Sequence, residues 1–508
     1  MAARKTTKKM SKKRSTKKAG AKAAKKPVAR KTAKKTSKKR STKKAGAKAA
    51  KKQVARKTTR KSASKNSRSN REFRVKVRMY RQGLGDCFLI TIPRNNGTPF
   101  YAVIDCGVIL GTKDAGTVMT EVVEHIIQTT GGHVDLVVAT HEHWDHISGF
   151  GQAREIWTDK NRLTVGQVWL SWAENKKDPL ADKLRTQRQK LKIALQAATS
   201  RMRMVGNTDG AQEVTNLLDF FGAAGTTSDA LEVVKKLSEN VRYCKPKDDP
   251  IQIEGTDVKV YVLGPPPDEK LIKKYNPSKR EPETYGIDTI NNYLNALQPT
   301  LSDTDVETPF DEGFQIPLNM AQQMPFFQQR YWGEDADSEE RSQAWRRIDG
   351  SWLDSSSSLA LQLDSATNNT CLVLAFELGD GDVLLFAADA QVGNWLSWQD
   401  LKWEVDGNEV TGPDLLRRTI FYKVGHHGSH NATLRELGLE EMKSLKLAFV
   451  PVDRKMAVKK RWNQMPLNQL MKRLNEITEE RVVRIDQDIP AKLSKSMVPD
   501  KLFHEVSL

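Results

Sequence analysis

Cysteine is scarce. Only Cys87, Cys106, Cys244 and Cys371 occur in 508 residues, and none is spaced as CxxC. That argues against a disulfide scaffold and fits a reducing compartment. Long apolar runs are missing as well. No stretch of about 18 apolar residues occurs, so no membrane span is expected. The basic first residues, Met1 to Lys9, lead into no apolar run and do not read as a secretory signal. Residues 1–70 contain no acidic and no aromatic residue, and no histidine stands between His146 and His426.

What fills the first 70 residues is positive charge. They hold 30 Lys/Arg, which leaves 53 basic and 62 acidic residues for the rest of the chain, a balance of −9. The overall +21 therefore describes a cationic tail on a mildly acidic body. The tail is repetitive: residues 11–36 and 37–62 share one 26-residue pattern with few differences. Its Lys, Ala, Ser and Thr offer no apolar face, so it is expected to be disordered. The composition resembles the tails of linker histones and bacterial histone-like proteins. Such a tail neutralises phosphates without reading sequence, and it has no stacking platform. Nucleic acid is the expected partner; a solvated tail or a nuclear address is the plainer alternative. The expected location is cytoplasmic and nucleoid-associated, or nuclear in a eukaryote.

Order is expected from about residue 71. Phe73–Met79, Cys87–Ile92 and Tyr101–Asp105 have strand patterns, with a hairpin turn at Asn95-Asn96-Gly97. Residues 117–129 have helical spacing. Val134–Ala139 reads as a buried strand that delivers Thr140 and the residues after it. Residues 151–250 read as a helical insertion, with Leu184, Leu191, Leu195 and Met202 on one helix and Ser228 as a cap for another. Val258–Leu263 returns to strand within the core segment 251–267. Residues 268–355 are polar with scattered aromatics and read as an insertion that covers or flanks a site. Strands are expected at Ser358–Leu363, Cys371–Glu377, Val383–Ala388, Thr419–Val424 and Leu447–Val452, within a second core half over 356–455. A helix starting at Pro466 opens a helix-and-strand extension over 456–508. Two sheets with helices outside fit this order.

The chemistry is concentrated in Thr140-His141-Glu142-His143-Trp144-Asp145-His146. Three of the nine histidines fall within six residues, beside an aspartate, just past a buried strand. His141 and His143 share a face of an extended segment, and Asp145 and His146 bend to a second position. Imidazoles and carboxylates in this arrangement are ligands for Zn²⁺, with Mn²⁺ or Fe as alternatives. The plain alternative is a solvated polar loop.

This pattern resembles the HxHxDH signature of the metallo-β-lactamase superfamily, most closely the soluble hydrolase domain of the bacterial competence (DNA-uptake) proteins. Gly85-Asp86-Cys87-Phe88-Leu89-Ile90, Val103-Ile104-Asp105-Cys106-Gly107 and Leu263-Gly264-Pro265-Pro266 look like segments of that domain. So do Asn368–Leu374, Leu384–Ala390 and Lys423-Val424-Gly425-His426-His427-Gly428-Ser429. The resemblance covers residues 72–453 and implies an αββα sandwich of α+β class, with the first half of the hydrolase domain over 71–150 and two insertions. It implies Asp389 as a metal-bridging carboxylate and His427 as a ligand. Asp105 and His426 become supporting partners of the ligands. The histidine-free interval departs from the pattern, since two-metal members supply a further histidine there. One strongly held and one weaker ion are then expected, with Cys371 or Asp364 as substitutes.

The implied activity is hydrolysis by metal-activated water, with Asp145 in the catalytic set. Lys423 is a candidate to stabilise charge, and His430 or His426 to protonate the leaving group. Trp169 and Trp172 are candidates to line a cleft, with core packing as the alternative. A nucleic-acid phosphodiester is the expected substrate. A small-molecule ester, lactone or thioester hydrolase tethered by the tail is a second reading. A catalytically weak nucleic-acid-binding regulatory or defence protein is a third.

Overall fold

The computed structural model describes residues 73–204, 207–222, 226–274, 316, 318–321, 323–332 and 356–508. All belong to the unit spanning residues 68–508. The repeat-bearing tail lies outside the described residues, as does most of the 268–355 insertion.

Two large sheets carry the body. The first contains β1 (Lys76–Tyr80), β2 (Cys87–Pro93), β3 (Pro99–Cys106), β4 (His133–Ala139), β5 (Thr164–Ser171) and β6 (Val241–Cys244). The second contains β7 (Ile251–Gln252), β8 (Lys259–Gly264), β9 (Val373–Glu377), β10 (Val383–Phe386) and, after a separate hairpin of β11 (Lys402–Val405) and β12 (Asn408–Thr411), β13 (Thr419–Lys423), β14 (Leu447–Val450) and β15 (Val482–Arg484). The last strands, β16 (Met497–Pro499) and β17 (Phe503–Ser507), return to the first sheet. Its order is β16-β17-β1-β2-β3-β4-β5-β6; the second runs β15-β14-β13-β10-β9-β8-β7. Each sheet mixes parallel and antiparallel pairs, so the chain is of α+β class.

Alternation along the strands explains the layers. Val77, Met79, Phe88, Ile90, Ala102, Ile104, Leu136 and Val138 point from the first sheet into one shared core. They meet Val260, Val262, Leu374, Phe376, Leu384, Phe386, Phe421 and Phe449 from the second. The opposite faces are covered by helices. On the first sheet lie α1 (Ala115–Thr130), α2 (Trp144–Gln152), α3 (Arg154–Thr158) and, after the two helices named next, α6 (Thr226–Lys236). On the second lie α4 (Pro179–Met204), α5 (Thr208–Leu218) and α7 (Ser356–Asn368). Helix α1 buries Met119, Val122, Val123 and Ile126 on one stripe and ends at Gly131, whose φ of 65° suits a left-handed C-terminal cap. No helix among the described residues is long and apolar enough to cross a membrane.

Several expectations need correction. Residues 358–363, expected as a strand, lie inside helix α7: Leu359, Ala360, Leu363, Asp364 and Thr367 are among its buried positions, while Leu361 is exposed. The stretch 151–250 is not wholly helical, because β5 and β6 extend the first sheet beside β4. Ser228 lies inside α6 rather than capping it. The late helix α9 (Asn468–Ile477), which follows α8 (Arg454–Lys459), begins two residues after Pro466. Trp169 is core between the sheets, and Trp172 is fully buried with Nε1 donating to the Pro265 carbonyl at 2.8 Å. Neither lines a cleft.

Candidate metal centre

Strand β4 ends at Ala139, and the next residues turn under tight backbone control. Asp105, at the end of β3 with φ 57°, accepts from the Thr140 amide at 2.8 Å and from its hydroxyl at 2.7 Å. Two glycines let neighbouring loops press against the start of α2. A Cβ on Gly107 would sit 2.5 Å from the Asp145 carbonyl oxygen, and one on Gly85 would sit 2.6 Å from it. With that approach open, the Asp86 amide donates to the Asp145 carbonyl at 2.9 Å. Asp145 and His146 occupy the first turn of α2, and His143 is its N-terminal flanking residue.

The second sheet supplies the rest. Asp389 follows β10 after Ala388, whose φ is 46°. His426, His427 and Gly428 follow β13 with consecutive positive φ values of 39°, 51° and 79°. This strained turn is held by the His426 amide donating to the Ala388 carbonyl at 3.0 Å.

All six expected ligands meet here, and all are fully buried. Two groups of donors among the described residues lie within 4.8 Å of one another: Asp145, His146, Asp389 and His427, and His141, His143 and Asp389. A third, Asp86, Asp105 and His146, lies beside them. The proton positions test whether these groups suit a cation. His427 Nδ1 lies 2.7 Å from the Pro451 carbonyl, so it carries the proton and donates. His427 Nε2 then presents a lone pair to the Asp145 carboxylate at 2.8 Å. Likewise His146 Nδ1 donates to Asp105 at 2.8 Å, leaving Nε2 facing Asp389 Oδ2 at 3.2 Å. Two ring nitrogens facing two carboxylates out of water need a shared cation, which a proton on each ring or a metal ion can supply. Both Asp389 oxygens, Asp145 Oδ1 and His143 Nε2 have no hydrogen-bond partner. The donor set fits a divalent ion.

The electrostatics of the residues themselves show the same demand. Burial opposes charge on His146, yet Asp389, Asp86, Asp145 and Asp105 outweigh it and hold the ring well above the usual imidazole range. Burial likewise opposes ionisation of Asp389, and His146, His426 and His427 overcome it, holding the carboxyl well below its usual range. His143 is pushed down to about 3, chiefly by burial. His426 is pushed down to about 4 by burial.

The remaining expected residues fall into four places. Asp105 supports Thr140 and His146. His426 lies at the edge, its Nε2 4.0 Å from Asp389 Oδ2 and its Nδ1 2.8 Å from the Ser429 hydroxyl. Lys423 is buried beneath the cluster, where its ammonium pairs with Asp86, donates to the Ala388 carbonyl at 2.9 Å and lies 3.7 Å from Asp389 Oδ1. It is a fixed internal cation. His430 is exposed and stands outside the buried cluster.

Three features were not legible as site components. Asp86 anchors Lys423, its only signal being its place after Gly85. Phe220 and Phe221 close over His143, with ring centroids at 5.5 and 4.7 Å. Arg188 of α4 reaches Glu142 at 3.3 Å and Glu174 at 3.4 Å, tying the helix to the ligand loop. No protein-family profile matches the chain, and no curated protein matches it.

Proposed function

We propose that the protein is a metal-dependent hydrolase of the metallo-β-lactamase type that acts on phosphodiesters of nucleic acid. One observation carries this reading: the opposed lone pairs and carboxylates of His427–Asp145 and His146–Asp389, buried where the loops of two sheets meet. The layering of helices on two facing sheets supports the fold assignment, and the HxHxDH pattern at the end of β4 supports the chemistry. His141, His143, Asp145, His146, Asp389 and His427 would hold one or two divalent ions, Zn²⁺ or Mn²⁺. When bound, such an ion acidifies a water and offsets the charge that develops on a phosphoryl oxygen. The chain's own residues do the rest. Asp105 and the Pro451 carbonyl fix the tautomers of His146 and His427, and Lys423 holds Asp86 and steadies Asp389. His426, at the cluster edge, is better placed than exposed His430 to pass a proton to a leaving group.

Nucleic acid is favoured by charge next to the site as well as in the tail. Trp462 stacks on Phe220 at 4.5 Å and 12°, and Phe220 in turn faces His143 and His426. Lys455 and Lys459 of α8 are exposed and close to it in the chain, as is Arg461, which pairs with Asp209 at 3.1 Å. Cations followed by an aromatic in one segment suit a phosphate backbone with stackable bases. A second reading, a small-molecule hydrolase tethered by the tail, is favoured by Phe220 and Phe221. They leave little room over the ligands, each being only 2% exposed.

The test is turnover of DNA and of a small chromogenic diester with Mn²⁺ or Zn²⁺. Asp145→Ala and His427→Ala should each lower turnover by roughly a thousandfold, the loss of several kcal/mol of metal assistance. Unchanged turnover in both variants would rule the reading out. Rising salt should weaken action on long DNA and spare the small diester if nucleic acid is the substrate.

A further inference from the structure

The six ligands above leave the two cation positions unequal. Asp145, His146, Asp389 and His427 form a four-donor set. The other group, His141, His143 and Asp389, has three donors and shares Asp389 with the first. Divalent ions of this class take four or more ligands. No histidine exists between His146 and His426 to fill the gap.

Helix α7 brings one further carboxylate alongside His143. Asp364 is 3% exposed. Its Oδ2 accepts from the Asn368 side-chain amide at 3.1 Å, one turn further along the same helix. That contact orients the group and leaves Oδ1 turned toward the ligand loop. Asp364 Oδ1 lies 3.9 Å from His143 Nε2, and neither atom has a hydrogen-bond partner. A buried, oriented, unpartnered oxygen facing an unpartnered ring nitrogen is costly unless something stands between or beside them. The alternatives are already engaged. Cys371 Sγ points to the Ala387 carbonyl and the Asn394 amide, both at 3.8 Å. His426 Nε2 accepts from Asn368 Nδ2 at 3.3 Å.

We propose that Asp364 is a metal ligand, supplying the fourth protein donor of a second cation position with His141, His143 and Asp389. The inference rests on the metal-dependent reading above and adds to it a two-ion centre of particular chemistry. Each position then has two imidazoles and two carboxylates, with Asp389 common to both. A carboxylate in place of a third imidazole moves the second position toward harder ions, so Mn²⁺ competes better with Zn²⁺ there than at a three-histidine site.

The test uses the full chain, stripped with chelator and titrated with Mn²⁺ alone. Bound ion is counted by elemental analysis, and spin coupling between neighbouring ions is read by electron paramagnetic resonance. Wild type should bind two ions per chain with a coupled spectrum. Asp364→Asn keeps the side-chain volume and a partner for Asn368. It should bind one ion tightly, lose the coupled signal and weaken the second affinity at least about tenfold. Asp364→Ala should do the same, and thermal melts of both ion-free variants check that they fold. Two ions bound by Asp364→Asn with a coupled spectrum and wild-type affinities would overturn the assignment of Asp364 alone. A wild type that binds a single ion would also overturn it, leaving the hydrolase reading in place. A wild type that binds none would remove both.

Discussion

In the first sheet an antiparallel run, β1 to β3, passes into the parallel strands β4, β5 and β6. In the second, β7 to β10 pass into β13, β14 and β15 in the same way. Asp105 and Asp389 stand at matching places, just at or after the last antiparallel strand. His141–His146 and His426–His427 both follow the first parallel strand. Yet the matching carboxylates do different work. Asp105 is surrounded by donors and spends both oxygens on Thr140 and His146. Asp389 has no hydrogen-bond partner on either oxygen. Position in the sheet brings a carboxylate to the site, and its neighbours decide whether it is free to hold an ion.

The largest expected effect tests that contrast. Asp389→Asn should remove the donor common to both positions, leaving at most one weakly held Mn²⁺ and lowering turnover by roughly a thousandfold or more. Asp105→Asn removes only a support and should cost about 10- to 100-fold in metal affinity. Isothermal titration and turnover on the same two proteins decide it. Equal losses would show that the two carboxylates are not distinct in role.

The same contrast explains what could be read from the chain alone. The first sheet packs His141, His143, Asp145 and His146 into six residues, so spacing reveals them. The second sheet's contributions at 389 and 427, and the α7 carboxylate proposed at 364, are brought in by topology, and no local pattern ties them to one another. Asp389 and His427 were reachable only because their flanking segments resemble a known family. Asp364 was harder still. Leu359, Leu361 and Leu363 alternate and suggest a strand, whereas the helix they form places Asp364 one residue past Leu363, on its buried side. The inner strands β2, β3 and β4 were legible because their apolar runs are continuous. β5 was not, since Thr164-Val165-Gly166-Gln167 interrupts its apolar half within a stretch dominated by helical spacing.

An intermediate effect concerns how the two sheets are fastened at the centre. Lys423 of β13 meets Asp86 of the first sheet's loop in full burial. Removing one partner of such a pair strands the other charge, which costs about 3–5 kcal/mol. Lys423→Met should therefore lower unfolding free energy by that amount in urea denaturation with chelator present. Adding Asp86→Asn to Lys423→Met should recover part of it. A loss below about 1 kcal/mol would mean that the buried cation is dispensable to the join.

The smallest effect concerns a second fastening, at the sheet margins, built without charge. His504 of β17 is 1% exposed, and its Nε2 donates to the Gln487 carbonyl just beyond β15 at 3.0 Å. Protonation would put a charge on a ring held out of water. Burial, aided by Arg81, pushes the ring down to about 4, against about 6.5 in an unfolded chain. The unfolded state therefore takes up a proton first as pH falls. Stability should be full above about 6.5, decline between about 6.5 and 4, and reach its floor below that, with a loss on the order of 2 kcal/mol. His504→Gln keeps a donor for Gln487 and cannot take the proton. The stability difference between wild type and this variant should shift toward the variant by that amount between pH 7 and pH 4. A difference that stays constant across the range would show that His504 is not what makes this margin acid-sensitive.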